Sequence, residues 1–249
     1  MKSVRLWLLT IAAVLSTTSL ASTQQIPSDT VFPVMLNGTL DARHSAAGKA
    51  ISARLMQNVG LPDGRVIPAG SRVVGQLVAV EQSRGNSPSR LAMRFDAIVQ
   101  DGHRLPIVTH LRALASPREV FEAQMPTNAI DDYGTSPSDW NTIQVGGAGV
   151  YRGNGEVTED SRTVGRTTDY GAVTARLIAS ADRRCNSTDR AESLWVFSPS
   201  ACGLYGYDGM TIARSGKSSP AGEIELQSAR DIRILGGSGL LLRVNSGTE

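Results

Sequence analysis

The strongest constraint on this chain is a hydrophobic period of two that runs, punctuated by turn residues, from Ile26 to Ala115. Ile51, Ala53 and Leu55 alternate with Ser52, Arg54 and Met56. Leu91, Met93, Phe95 and Ala97 alternate with Ala92, Arg94, Asp96 and Ile98, and Leu105, Ile107, Thr109 and Leu111 follow the same rule. Successive side chains of an extended strand point to opposite faces, so the pattern predicts half-buried strands. Val73 to Val80 is apolar on nearly both faces, which predicts a strand in a sheet covered on both sides. Asp63-Gly64 and Asp101-Gly102 mark hairpins, because glycine accepts positive φ at little cost. Pro68-Ala69-Gly70 reads as a tight turn, and Arg84 to Ser89 as a loop by composition. Together these features predict an all-β fold, a barrel or sandwich of short antiparallel strands.

The start of the chain predicts export. Lys2 and Arg5 precede the apolar run Leu6 to Leu15, and Ser19-Leu20-Ala21 offers small residues where a signal peptidase cuts. Residues 1–21 therefore read as a signal peptide, with a retained anchor as the alternative. The run turns polar at Ser16, short of the roughly 20 apolar residues a spanning helix needs. Nothing later in the chain is long and apolar enough to span a membrane as a helix, so no transmembrane helix is expected in the mature chain. The formal net charge of the 249 residues is +2, with no basic block, which argues against a nucleic-acid partner.

Within the strand-rich part, one ordered set of segments resembles a known family. Ile26-Pro27-Ser28-Asp29-Thr30-Val31-Phe32-Pro33-Val34-Met35-Leu36 is followed by Gly48 to Ala53 and then by Asp63 to Gly75. Leu91 to Ile98 comes next, and Asp101 to Ile107 closes the set. The most specific piece is Ile67-Pro68-Ala69-Gly70-Ser71-Arg72-Val73-Val74-Gly75, an I-P-x-G-S-x-x-x-G pattern. This order is similar to the C-terminal β-barrel domain of TrbI-type proteins, the channel scaffolds of conjugation and type IV secretion. The resemblance covers the N-terminal third to half of the mature chain and implies a non-enzymatic domain that assembles in the envelope. The chain carries no apolar helical insertion, and its C-terminal part does not match the family. As a whole it resembles small exported proteins of unknown function that carry only this domain.

Domain organisation follows: a barrel or sandwich domain over 22–115, an irregular Gly/Ser-rich crossover over 116–170, and C-terminal strands over 171–249 that pack on the first domain or complete it. A short helix is expected near Pro117 to Gln124. Ala172 to Ala181 is undecided between helix and strand. Leu194 to Phe197 and Glu223 to Gln227 read as strands, and Tyr205 to Gly209 carries a hairpin turn. Ile232 to Leu235 and Leu240 to Val244, around Gly236 to Gly239, read as a hairpin. Cys185 and Cys202 are the two cysteines, and in an exported chain an even pair is most simply a disulfide. Closing that loop would stabilise by about 3 kcal/mol in the chain-entropy picture.

No pattern in the chain names a reaction, and no catalytic residue, metal or cofactor is expected. His44, His103 and His110 are the three histidines, and on alternating strands His103 and His110 fall on opposite faces, which makes a shared zinc site awkward. No Gly-x-Ser-x-Gly elbow is present, and Gly146 to Gly155 lacks the Lys-Ser/Thr pair of a phosphate loop. Asp131-Asp132 reads as solvated carboxylates in a loop. Asn37-Gly38-Thr39 and Asn186-Ser187-Thr188 match the glycosylation sequon, a weak signal by itself. The candidate contact residues are aromatic: Tyr133, Trp140 and Tyr151 in the middle, Tyr205 and Tyr207 near the cysteines. The expected function is thus an exported structural or assembly protein, periplasmic, outer-membrane-associated or extracellular. Its partners would be itself or other envelope proteins. The alternative is a secreted module that binds glycan or protein through those aromatic rings, and an exported hydrolase ranks third.

Overall fold

The computed structural model describes residues 25–124, 141–145, 147–152, 156–159, 161–166, 176–178, 191–193, 196–197, 201–213 and 222–245. The alternating segments become the first strands: β1 (Val31–Leu36), β2 (Leu40–Asp41), β3 (Ala50–Leu55), β4 (Val59–Gly60), β5 (Val66–Ile67), β6 (Arg72–Glu81), β7 (Ser89–Gln100), β8 (His103–Pro106) and β9 (Thr109–Ala115). Helix α1 (Pro117–Gln124) follows. Beyond it come β10 (Asn141–Gln144), β11 (Gly147–Arg152), β12 (Glu156–Glu159), β13 (Arg162–Arg166), β14 (Arg176–Ile178) and β15 (Ala191–Ser193). The chain finishes with β16 (Gly203–Tyr205), β17 (Met210–Ile212), β18 (Ile224–Ser228), β19 (Arg233–Ile234) and β20 (Gly239–Val244). The protein is all-β with one short helix.

The turn chemistry acts as expected. Asp63-Gly64 joins β4 to β5, with Gly64 at φ 85 and the Asp63 carboxylate accepting the Arg65 backbone N–H at 3.0 Å. Asp101 and Gly102 have φ 49 and 79, the two positive values of a tight hairpin between β7 and β8. In the Ile67 to Gly75 segment, Gly70 takes φ 84 and the Pro68 carbonyl accepts from the Ser71 hydroxyl at 2.7 Å. Gly70 N–H then donates to the Leu55 carbonyl, and Leu55 N–H to the Ser71 carbonyl, both at 2.8 Å, so this turn is stitched to β3.

The large sheet runs β16-β9-β20-β1-β3-β6-β7-β18-β17, with β8 on β7 as a tenth strand. All its ladders are antiparallel except β16 on β9. Phe32, Val34, Leu55, Leu77, Phe95, Leu114, Leu226 and Leu242 come from strands along the whole path, yet they share one buried cluster. A sheet whose distant strands feed one core has to curl around it. The curl stops short of closure: β16 and β17 are consecutive in the chain, but no ladder joins them. The barrel form of the expectation is thereby corrected to an open, curled sheet.

A second core lies on the opposite face of β1, β9 and β20. Val31, Ala113, Ala115 and Leu241 are covered there by Val120 and Ala123 of α1 and by Val145, Val196, Phe197 and Ala201. Helix α1 starts at Ser116, whose carbonyl accepts the Val120 N–H at 3.0 Å; Pro117 occupies the first turn, where its missing N–H costs nothing. The two-sided strands are therefore β1, β9 and β20. Strand β6, expected to be covered on both faces, buries only Val73 and Leu77 completely. Its alternation is broken at Val78, which the register shift between Leu77 and Ala79 leaves extra to the ladder; at the Val74/Gly75 shift the extra residue is Asp96 of β7.

Several other expectations change. The crossover over 116–170, expected to be mostly irregular, carries, besides the helix α1 expected there, the antiparallel meander β10-β11-β12-β13, which continues through β14 to β15 as a six-stranded sheet. Short Gly- and Thr-rich strands of this kind carry too few large apolar side chains to show a period. Ala172 to Ala181 holds strand β14. The C-terminal strands complete the first sheet, with β20 inserted between β1 and β9. The expected hairpin of Ile232–Leu235 with Leu240–Val244 does not form: β19 pairs with β2, and β20 enters the large sheet. Residues 239–242 are all buried, which suits a central strand and not one arm of an exposed hairpin. Tyr205 to Gly209 likewise links two strands that pair elsewhere.

Candidate aromatic contacts and polar clusters

The aromatic candidates divide by location. Tyr133 and Trp140 lie outside the described residues, and Tyr151 is placed in β11 by its backbone alone. Asp131 and Asp132 also lie outside, as does Cys185, so the Cys185–Cys202 pairing falls outside what the structure describes. Tyr205 ends β16 and packs half-buried against the second core. Its hydroxyl donates to the Cys202 carbonyl at 2.9 Å and accepts the Cys202 N–H at 3.0 Å, while its carbonyl accepts the Ser116 N–H at 2.9 Å.

Tyr207 packs against the first core, and its hydroxyl is hydrogen-bonded to the buried Ser238 hydroxyl. Burial pushes its phenol pKa above the ordinary value. Both rings therefore pin the 202–207 segment into the fold, one into each core. Gly206 sits between them at φ 69, and a Cβ there would fall 2.4 Å from Ser116 Oγ. This close approach is what lets adjacent tyrosines face different cores.

Charged side chains from distant parts of the chain meet around the open sheet. The Asp231 carboxylate accepts Arg43 Nε at 2.6 Å and the Ser83 N–H at 2.8 Å, and together these hold its pKa below the usual carboxylate value. Asp41 accepts the Arg43 N–H at 2.8 Å, which lowers its pKa in the same direction. Arg90 grips Glu225 with two nitrogens, at 2.7 and 3.2 Å, and reaches Glu81 at 3.1 Å. Arg243 donates twice to Asp29, at 3.0 and 2.7 Å.

The histidines stay apart in role. His44 and His103 are exposed. His110 stands opposite Arg243 across the β9–β20 ladder and its Nδ1 lies 2.6 Å from Asn245 Oδ1. Burial lowers the His110 pKa, and the Asn245 contact only partly offsets this; Arg243 and Arg112 lower it further. Among the described residues no three His, Cys, Asp or Glu side chains gather as a metal site, and no helix is long and apolar enough to cross a membrane. The long-range ion pairs were not legible in the sequence, because their partners lie far apart in it: Arg43 and Asp231, for instance, are 188 residues apart.

Among the described residues, two open clefts stand out on the surface. One, of about 310 Å³, lies between the β4–β5 and β7–β8 hairpins, with Leu61, Ile67 and Leu105 beneath Arg65, Asp101 and His103. The other, of about 270 Å³, runs along Asn37 to Thr39 beside Lys49 and Ser52. No family model matches this chain, and no curated protein matches it.

Proposed function

We propose that this chain is an exported, non-enzymatic structural component of the cell envelope, periplasmic or associated with the outer membrane. In this reading it is related in role to the barrel domain of TrbI-type channel scaffolds and assembles with itself or with other envelope proteins. The observation that carries the reading is the Ile67 to Gly75 segment. Its Pro, Gly, Ser and final Gly fall at a turn and a bulge that shape the sheet: Pro68 and Ser71 close the turn, Gly70 takes the positive φ, and Gly75 sits at the register shift. A pattern of residues tied in this way to backbone shape fits a domain whose role is structural.

Two further features support it. The described carboxylates Asp29, Asp41, Asp231 and Glu225 are each held by arginines or backbone N–H groups, in arrangements that stiffen the sheet. The sheet also leaves β16 and β17 as unjoined edges, and an unpaired strand edge is a natural template for association. The disulfide between Cys185 and Cys202 belongs to the same reading, since an oxidising envelope compartment permits it.

The experiment is to fractionate cells and measure the native size of the protein in detergent-solubilised envelope. A large, discrete, envelope-associated species is expected. A monomer in the soluble fraction, binding no envelope component, removes the scaffold reading. A glycan- or protein-binding module would then move forward. The hydroxyls of Tyr205 and Tyr207 are engaged within the fold, so in such a module these half-buried rings would contribute their exposed parts.

A further inference from the structure

Asn37 and Gly38 lie in the exposed link between β1 and β2, on the wall of the 270 Å³ cleft that also holds Lys49 and Ser52. The Asn37 N–H is held by the Ser52 carbonyl at 3.0 Å, and its side-chain amide nitrogen donates to Ser52 Oγ at 3.1 Å. On the side where a Gly38 side chain would lie, the space is open: a Cβ built there meets nothing within 4 Å. On another side, a Cβ built on Gly236 would come within 3.4 Å of Gly38 Cα and C. An asparagine followed by glycine leaves the next backbone nitrogen unscreened by a side chain of its own residue, and here both residues are exposed.

We propose that Asn37-Gly38 is a site of spontaneous covalent modification, converting Asn37 to aspartate and isoaspartate without an enzyme. The Gly38 backbone nitrogen bonds to Asn37 Cγ, the Cγ–Nδ2 bond breaks, and Nδ2 leaves as ammonia carrying the proton lost by the Gly38 N–H. Water then adds to one of the two carbonyls of the resulting five-membered imide. Cleavage of the imide C–N bond on that side yields either aspartate or isoaspartate. The sum is one water consumed and one ammonia released, with no change in oxidation state.

The place matters more than the reaction. Leu36, immediately before the site, accepts the Gly237 N–H and donates to the Ser238 carbonyl, both at 2.8 Å. An isoaspartate lengthens the backbone at the point where β1 is fastened to the turn that leads into β20. An aspartate places a new negative charge on the same cleft as Lys49.

The test is to hold the purified protein in mildly alkaline buffer, digest it, and map the Asn37 peptide by mass spectrometry, separating aspartate from isoaspartate by retention. The chain's other Asn-Gly pair, Asn154-Gly155, serves as a clock within the same sample. Steady conversion at Asn37 is expected, with near-complete loss of conversion in Gly38→Ala. That variant is expected to fold as the parent does, because Gly38 has no positive φ and the space its side chain would take is open. An intact Asn37, whether or not Asn154 converts, overturns the proposal, and so does equal conversion in Gly38→Ala.

Discussion

Gly75 shows how much a single position decides. In β7 the residue Asp96 is extra to the ladder between the pairs Val74–Ala97 and Gly75–Phe95, and its carbonyl is satisfied instead by the Ile107 N–H at 3.0 Å. A Cβ on Gly75 would lie 1.9 Å from the Arg94 carbonyl oxygen, so the bulge exists only with glycine there. Gly75→Ala should cost about 2 kcal/mol or more, read as a lowered urea midpoint, whereas Gly38→Ala should be close to neutral. His110 predicts a pH effect. Its folded pKa lies below its unfolded one, so between the two the unfolded chain binds more protons than the folded chain. Its contribution is therefore full above the unfolded value, about 6.5, and is lost as pH falls through the folded one. The thermal midpoint of His110→Gln should fall less than that of the parent over this window. Asp231, also lowered, acts in a more acid window, so Asp231→Asn should flatten the stability profile below about pH 4.

Among the elements, α1 and the Phe197 segment depend on one another. Phe197 is completely buried between the helix and the outer face of the sheet, and a Cβ on Gly239 would meet both Phe197 and Val120. Phe197→Ala should cost about 3–5 kcal/mol and loosen the helix first, which amide exchange at Val120 and Ala123 would reveal. The short helix over Pro117 to Gln124 was readable from sequence because helix-start signals are local. So were the strands between Val31 and Ala115, where alternation and Asp-Gly turns agree. The two-sided expectation for β6 fails because a bulge at Val78 shifts its faces, and a bulge depends on the partner strand. The turn at Gly236-Gly237 was correctly placed, but a turn signal says only that the chain reverses, not which strands it then joins. The same limit hid the Asp231–Ser83–Arg43 cluster and the half-buried packing of Tyr205 and Tyr207 against the two cores.

The whole molecule is one sheet assembled from both ends of the chain. β1 lies between β3, its near neighbour in sequence, and β20, whose pairing spans from Val31 to Arg243. The N-terminal strands alone therefore lack the strand that joins β1 to β9. A chain ending at Ser238 should lose cooperative unfolding, measured by calorimetry, although it keeps β1 to β19. Synthesis proceeds from the N-terminus, so β1 and β9 both wait with open edges until the last strand arrives. The sheet is in this sense locked by its final piece, and contacts so distant in sequence are slow to form. In the exported role proposed above, that order would be useful, since a chain that cannot finish its fold while it is still being made stays threadable.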